Sequence, residues 1–322
     1  MIEAAVRAAY EAARDDTSGH RATYIPKLAE SDPELFGVAA VTLDGHVIEV
    51  GDTDAPFTIQ SMSKPFTFAL ALTEFGGEQV YEHTGVEPSG DDFNSVVLDE
   101  RGVPFNPMVN AGAIAMTGLL CTVHGDDTFE FIRDSYSTFA GTELRVDRST
   151  FKSELGSADR NLAIAHLLHG SGIIEDVDQT VETYTRQCSI EVTATQLATM
   201  ATTLANLGID PTTNEPVLDA LAVRDTLSVM LSCGMYNYSG QWVVDAGIPA
   251  KSGVSGGVFA CVNRQMGIAA YSPRLDERGN SVRGITACVG LADNLGMHVF
   301  DPTSFGSTVL DIIEHRGDAT NA

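Results

Sequence analysis

The order of elements along the chain constrains its fold more than any other feature: β-type alternation stands near both ends and helical periodicity fills the middle. Near the N-terminus VAAVTL and HVIEVG alternate apolar and polar residues on either side of Asp44-Gly45, a hairpin turn pair. Far downstream VFACVN and QMGIAAYS meet at Asn263-Arg264, a second expected hairpin. Between them, from about 71 to 235, helices are joined by Gly/Pro loops, among them AGAIAMTGLLCTV, DTFEFIRDSYSTFA, NLAIAHLLHG, TATQLATMATTLANLG and VRDTLSVMLSCG. Strands supplied by both ends have to pack into one unit. The expectation is an α+β fold: a mostly antiparallel sheet flanked by helices, built from about 1–70 and 236–322, with an all-helical insertion over about 71–235. ITACVGLADNLG and TVLDIIEHR read as helices near the end.

The 322 residues are enough for one large domain, and 43% apolar with 20% charged residues is an ordinary globular balance. No apolar run approaches the roughly 18–20 residues of a membrane-spanning helix, so no membrane association is expected. MIEAAVRAAYEAARDD has charges at helical spacing and no apolar h-region, so it reads as an amphipathic helix rather than a signal peptide. Five scattered cysteines without C-x-x-C fit free thiols in a reducing compartment, which predicts a cytoplasmic location. A net charge of −25 repels phosphate backbones, so no nucleic-acid partner is expected. Salt adaptation and an ordinary acidic surface both fit that charge.

The chemistry starts at Ser61-Met62-Ser63-Lys64, an S-x-x-K string opening the long apolar helix PFTFALALTEFGG. Pro65 is tolerated only in a first helical turn, which puts Ser61 at or near the N-terminus. At i and i+3 the serine and lysine share a face. Serine becomes a nucleophile when a base takes its proton, and lysine is such a base only if burial or a nearby cation lowers its pKa. Lys251-Ser252-Gly253, before an expected strand, offers that second cation. S-x-x-K on a helix with K-[ST]-G on a later strand is the pattern of serine β-lactamases and penicillin-binding proteins. A second string, Ser149-Thr150-Phe151-Lys152, is followed by polar SELGSADRN and is expected at the surface.

Around these anchors the chain resembles the bacterial and mitochondrial-type glutaminase family, serine-dependent enzymes with a β-lactamase-like fold. The resembling segments are YIPKLAESDPELFGVAAVTLDG, FTIQSMSKPF, EPSGDDFNSV, NPMVNAGAI, the run from Glu154 to NLAI, CSIEVTATQLATMATTLANLG, LSCGMYNYSGQ and PAKSGVSGGV, together spanning about 24 to 300. The resemblance implies one catalytic domain over 1–322 that hydrolyses L-glutamine to L-glutamate and ammonia. It implies Ser61 as nucleophile, Lys64 as its partner and Tyr236 assisting proton transfer. The Val254 and Ser61 N–H groups would form the oxyanion hole. Tyr24, Asn110, Glu154, Asn161 and Tyr184 would hold the amino-acid end of the substrate. Between Asn161 and Tyr184 the chain is shorter than in some relatives, so Tyr184 is placed by its spacing to Cys188-Ser189-Ile190-Glu191. A homodimer or homotetramer is implied as well.

These residue types suit a free amino acid. A carboxylate, Glu154, answers the α-ammonium, and neutral donors answer the α-carboxylate without burying further charge. No cofactor is expected. His166 and His169 stand at i and i+3 without H-E-x-x-H or a third ligand, so no metal is expected either. Two other readings remain open at this point: a β-lactamase or peptidase, which NPMVNAGA in place of an S-D-N box opposes, and a non-catalytic amino-acid-binding protein of the same fold.

Overall fold

The computed structural model describes residues 1–23, 25–90 and 95–301. Helix α1 (Ile2–Ala13) turns Val6, Ala9 and Ala13 inward at three- and four-residue spacing, as an amphipathic helix does. β1 (Gly37–Thr42) and β2 (Val47–Gly51) form the expected hairpin, Val41 opposite Val47, and Gly45 takes the left-handed φ of +79° that the tight turn demands. β3 (Phe57–Thr58) leads through a 3₁₀ turn, Gln60–Met62, into α2 (Ser63–His83). Pro65 lies in the first turn of α2, and the helix breaks at Gly76.

The middle of the chain supplies α3 (Asn110–His124), α4 (Thr128–Ala140), β4 (Arg145–Val146), α5 (Arg148–Leu155), α6 (Asp159–Gly170) and α7 (Val177–Cys188). β5 (Ile190–Val192), α8 (Ala194–Ala205), α9 (Ala220–Cys233) and α10 (Ser239–Asp245) follow. β6 (Ala250–Ser252), β7 (Gly257–Val262) and β8 (Met266–Tyr271) then precede α11 (Val282–Leu295). The second hairpin is β7–β8, with Arg264 left-handed at φ +63°. TVLDIIEHR lies outside the described residues.

Five strands make one antiparallel sheet in the order β2-β1-β8-β7-β6, joining the two ends of the chain where β1 pairs with β8. α1 and α11 cover one face, and α8 covers the other. β7 and β8 are therefore buried at every position, whereas the edge strand β2 alternates buried and exposed. The approach of α8 is close enough that a Cβ at Gly267 of β8 would collide with the Ala198 carbonyl and the backbone of Thr202. Thr202 stitches the layers: its Oγ1 donates to Val41 O at 2.9 Å and accepts from Gly267 N at 3.1 Å.

A smaller antiparallel sheet, β3-β5-β4, positions the site. β3 runs into the Ser61 turn, β5 follows the end of α7, and β4 precedes α5, so three distant segments are brought together by three short strands. Ile59 N donates to Ile190 O at 2.8 Å, which ties the Ser61 turn to β5. No helix among the described residues is long and apolar enough to cross a membrane.

Candidate active site

Ser61 sits in the 3₁₀ turn just before α2 and is 7% exposed. The residue before it, Gln60, holds a left-handed φ of +48° without being glycine, a backbone cost of order 1–3 kcal/mol that the surrounding packing must sustain. Gln60 is buried, and its Nε2 donates to Glu154 Oε2 at 3.2 Å and to Thr58 Oγ1 at 3.3 Å. Among the described residues, neither the Ser61 nor the Val254 N–H has a backbone partner.

Lys64 is buried, and its Nζ donates to Asn110 Oδ1 at 2.7 Å. Burial lowers the Lys64 pKa to about 8, against the opposing pull of Cys188 and Glu154. Lys251, fully buried on β6, is itself held well below the ordinary lysine value, first by burial and then by the charge of Lys64. Lys251 Nζ donates to Ser252 O at 2.8 Å and lies 4.0 Å from the centroid of the Tyr236 ring.

Tyr236 follows α9 in another left-handed conformation, φ +54°. Its hydroxyl donates to Ser252 O at 3.0 Å. Burial pushes this phenol up to about 12, with Ser61 and Ser252 pulling the other way.

A cavity of about 340 Å³ opens over Ser61 and is lined by Asn110, Glu154, Asn161, Tyr184 and Val254, together with Gln60, Cys188 and Ile25. Its polar wall is internally wired. Asn110 begins α3, and its Nδ2 donates to Asn161 Oδ1 at 3.0 Å, while the Tyr184 hydroxyl lies 3.4 Å from Asn110 Oδ1. Glu154 is on α5, whose N-terminus Asp147 caps by accepting from Ser149 N at 2.8 Å. Burial raises the Glu154 carboxyl to about 7, with Gln60 and Lys64 opposing. Burial also lifts the Tyr184 phenol well above its ordinary value, and the Cys188 thiol to about 12.

Nine of the ten candidate residues therefore gather at one place. The tenth, Tyr24, lies outside the described residues, although its neighbour Ile25 lines the cavity. The competing string is elsewhere: Ser149 and Lys152 are exposed on α5 and do not line the cavity. His166 and His169 are exposed, and no group of three or more His, Cys, Asp or Glu among the described residues could hold a metal. A larger cavity of about 700 Å³, between Tyr81, Phe105 and Val229, contains none of the candidates. Sequence reasoning missed Gln60 and Cys188. A left-handed glutamine has no composition signal, whereas Cys188 could have been read from its place beside Ser189-Ile190-Glu191.

Against known proteins, the glutaminase family model matches residues 19–300. Glutaminase 1 of Bradyrhizobium diazoefficiens is 53% identical over 287 residues, 89% of this chain and 47% of that protein. This chain thus spans about half the length of the curated relatives it matches first. The solved structure of a probable glutaminase, ybaS, superposes with a TM-score of 0.90 at 40% identity, covering 93% of this chain and 98% of that one. Mglu in its glutamate form superposes at 0.87 and 40% identity, covering 93% and 70%. The match runs through the sheet, the helical half and the cavity between them, and with it the β-lactamase-like α+β expectation holds: this chain belongs to the glutaminase family.

Proposed function

We propose that the chain hydrolyses L-glutamine to L-glutamate and ammonia through an acyl-enzyme on Ser61. The observation that carries this reading is one buried hydroxyl, that of Ser61, opening on a cavity whose other polar groups match the two charged ends of a free amino acid. A relative solved in its glutamate form supports the substrate class.

Ser61 Oγ attacks the side-chain carbonyl carbon of glutamine, and its proton passes toward Lys64. With a pKa of about 8, Lys64 is half neutral in mildly alkaline solution. With its phenol pushed up by burial, Tyr236 stays protonated there, so it relays protons rather than serving as the resting base. The free N–H groups of Ser61 and Val254 receive the developing oxyanion, each worth roughly 100–1000-fold. Ammonia leaves with a proton, water attacks the γ-glutamyl ester, and glutamate departs as Ser61 regains its hydrogen.

Glu154 takes the substrate α-ammonium, while Asn110, Asn161 and Tyr184 take the α-carboxylate; Tyr24 is assigned to the same end by resemblance alone. Replacing Glu154 with Gln keeps the shape and removes the charge. We expect KM for glutamine to rise about 30-fold or more with kcat changed far less, because a charged hydrogen-bond partner is lost at the non-reacting end. Steady-state kinetics read the split directly, and an unchanged KM would remove Glu154 from this role.

Ammonia release from glutamine, run beside asparagine and the lactam nitrocefin, tests the whole proposal. Turnover of glutamine alone supports it. Lactam hydrolysis would favour the β-lactamase reading, and binding of glutamine without turnover would favour the non-catalytic one. Assembly as a homodimer or homotetramer is part of the proposal by resemblance, and sedimentation equilibrium reads it. A cytoplasmic location rests on five free cysteines, and fractionation of cells reads that.

A further inference from the structure

Behind the Ser61–Tyr236 pair, buried polar contacts lead away from the cavity to a loop that the chemistry above does not use. The Ser252 carbonyl is the junction, accepting from the Tyr236 hydroxyl at 3.0 Å and from Lys251 Nζ at 2.8 Å. Ser252 is wholly buried, and its Oγ donates to Asn280 Oδ1 at 2.6 Å. Asn280 is wholly buried too, and its backbone is pinned by Asp276. Asn280 N donates to Asp276 Oδ1 at 2.9 Å, and Asp276 N donates back to Asn280 O at 2.8 Å. The next residue, Ser281, caps α11 and donates to Ser272 O at 2.8 Å, so the loop is anchored on both sides of Asn280.

Ser252 has one hydroxyl hydrogen, and Asn280 Oδ1 accepts it. The Asn280 Nδ2 atom is buried and has no hydrogen-bond partner among the described residues. Which way that carboxamide points decides the proton's direction. With Oδ1 toward Ser252, the hydroxyl gives its hydrogen to Asn280. Turned over, Nδ2 would donate to Ser252, and the hydroxyl would lose the acceptor that now fixes it.

We propose that Asn280 is a positioning residue of the acyl-transfer site, fixing the Ser252 hydroxyl and with it the carbonyl that holds both Tyr236 and Lys251. This rests on the serine–tyrosine reading of the previous section and deepens it. Asn280 lines no wall of the substrate cavity, so its removal acts on turnover rather than on glutamine binding.

The test is ammonia release by the purified full chain across pH, for Asn280→Ala, Ser252→Ala, Ser252→Thr and the double alanine variant. We expect Asn280→Ala and Ser252→Ala each to lower kcat about tenfold to a hundredfold, the range of one lost buried hydrogen bond, with KM within about twofold. The pH dependence of kcat should shift in both. Because the two residues act in series, the double variant should be no slower than the worse single one. Ser252→Thr keeps the hydroxyl and should recover most of the rate. Wild-type kcat and pH profile in Asn280→Ala would overturn the proposal, as would additive losses in the double variant. If Asn280→Ala fails to fold, Ser252→Ala decides on its own, since turnover within about twofold of wild type there would also overturn it. A wild-type chain that releases no ammonia from glutamine is a different failure: the functional reading falls first, and this inference with it.

Discussion

Ser61→Ala is expected to abolish ammonia release from glutamine, a loss on the order of 10⁴–10⁶-fold, while the melting temperature moves by only a few degrees. The loss is large because burial holds the other nucleophilic groups at the site, the phenols of Tyr236 and Tyr184 and the thiol of Cys188, in their protonated forms. The stability cost is small because the change deletes one oxygen, and the Tyr236 phenol keeps its bond to Ser252 O. Alanine can adopt the same turn geometry, so the left-handed Gln60 and the start of α2 stay as they are. Residual turnover above about one per cent of wild type, with folding unchanged by circular dichroism, would mean that Ser61 is not the nucleophile.

Lys64→Arg is expected to lower kcat by about 10³–10⁴-fold. The substitution preserves positive charge and removes the ability to shed a proton, since a guanidinium stays charged at any working pH. It also forces a larger planar head into a buried site beside Asn110. The same reasoning sets the pH dependence expected of the wild-type chain. Burial lowers the Lys64 pKa to about 8, so the amine is charged and idle below that value and free to act above it. kcat should therefore climb from neutral pH and level off above about 8. The Glu154 carboxyl, raised to about 7, adds a second acid-side loss. Below 7 it becomes neutral and loses its attraction for an ammonium, so KM should rise there while kcat follows Lys64. Rates measured from pH 6 to 9 test both limbs, and a kcat that falls steadily above 7 would exclude Lys64 as the base.

The parts of this structure that were legible in the sequence are those set by local chemistry. Asp44-Gly45 fixed a turn because only a few residues tolerate positive φ there. Pro65 located the beginning of α2 because proline lacks the donor a helix interior needs. Two hairpins near opposite ends implied a shared sheet, and β1 lies beside β8. The site was a different matter. S-x-x-K and K-S-G put Ser61, Lys64 and Lys251 forward by spacing. Asn110, Glu154, Asn161, Tyr184, Tyr236 and Val254 come from separate segments that no spacing rule links, and they were named through resemblance.

What stayed hidden depends on distance in space. α8 reads as one more helix of the middle, and its role as the cover of the sheet depends on small side chains meeting Gly267 across a gap of about seventy positions. A motif gives charges but not depths, so the burial that lowers the Lys64 pKa is not legible in S-x-x-K. Asn280 gave no signal at all. An asparagine in a loop ordinarily reads as a turn residue, and only its contact with Ser252 distinguishes it.

The pairing of β1 with β8 has a consequence for how the protein comes into being. Thr42 faces Met266, more than two hundred positions later, so the central pair of strands cannot close until everything from β1 through β8 has left the ribosome. Joining such distant partners is slow, because the ordering cost falls due before the contacts that offset it exist. During synthesis β1 waits with an unfilled edge, open to pairing with other nascent chains, and Ser61 is made long before Lys251 arrives on β6. Truncated products should accordingly be both inert and prone to clump, an outcome dictated by strand order alone.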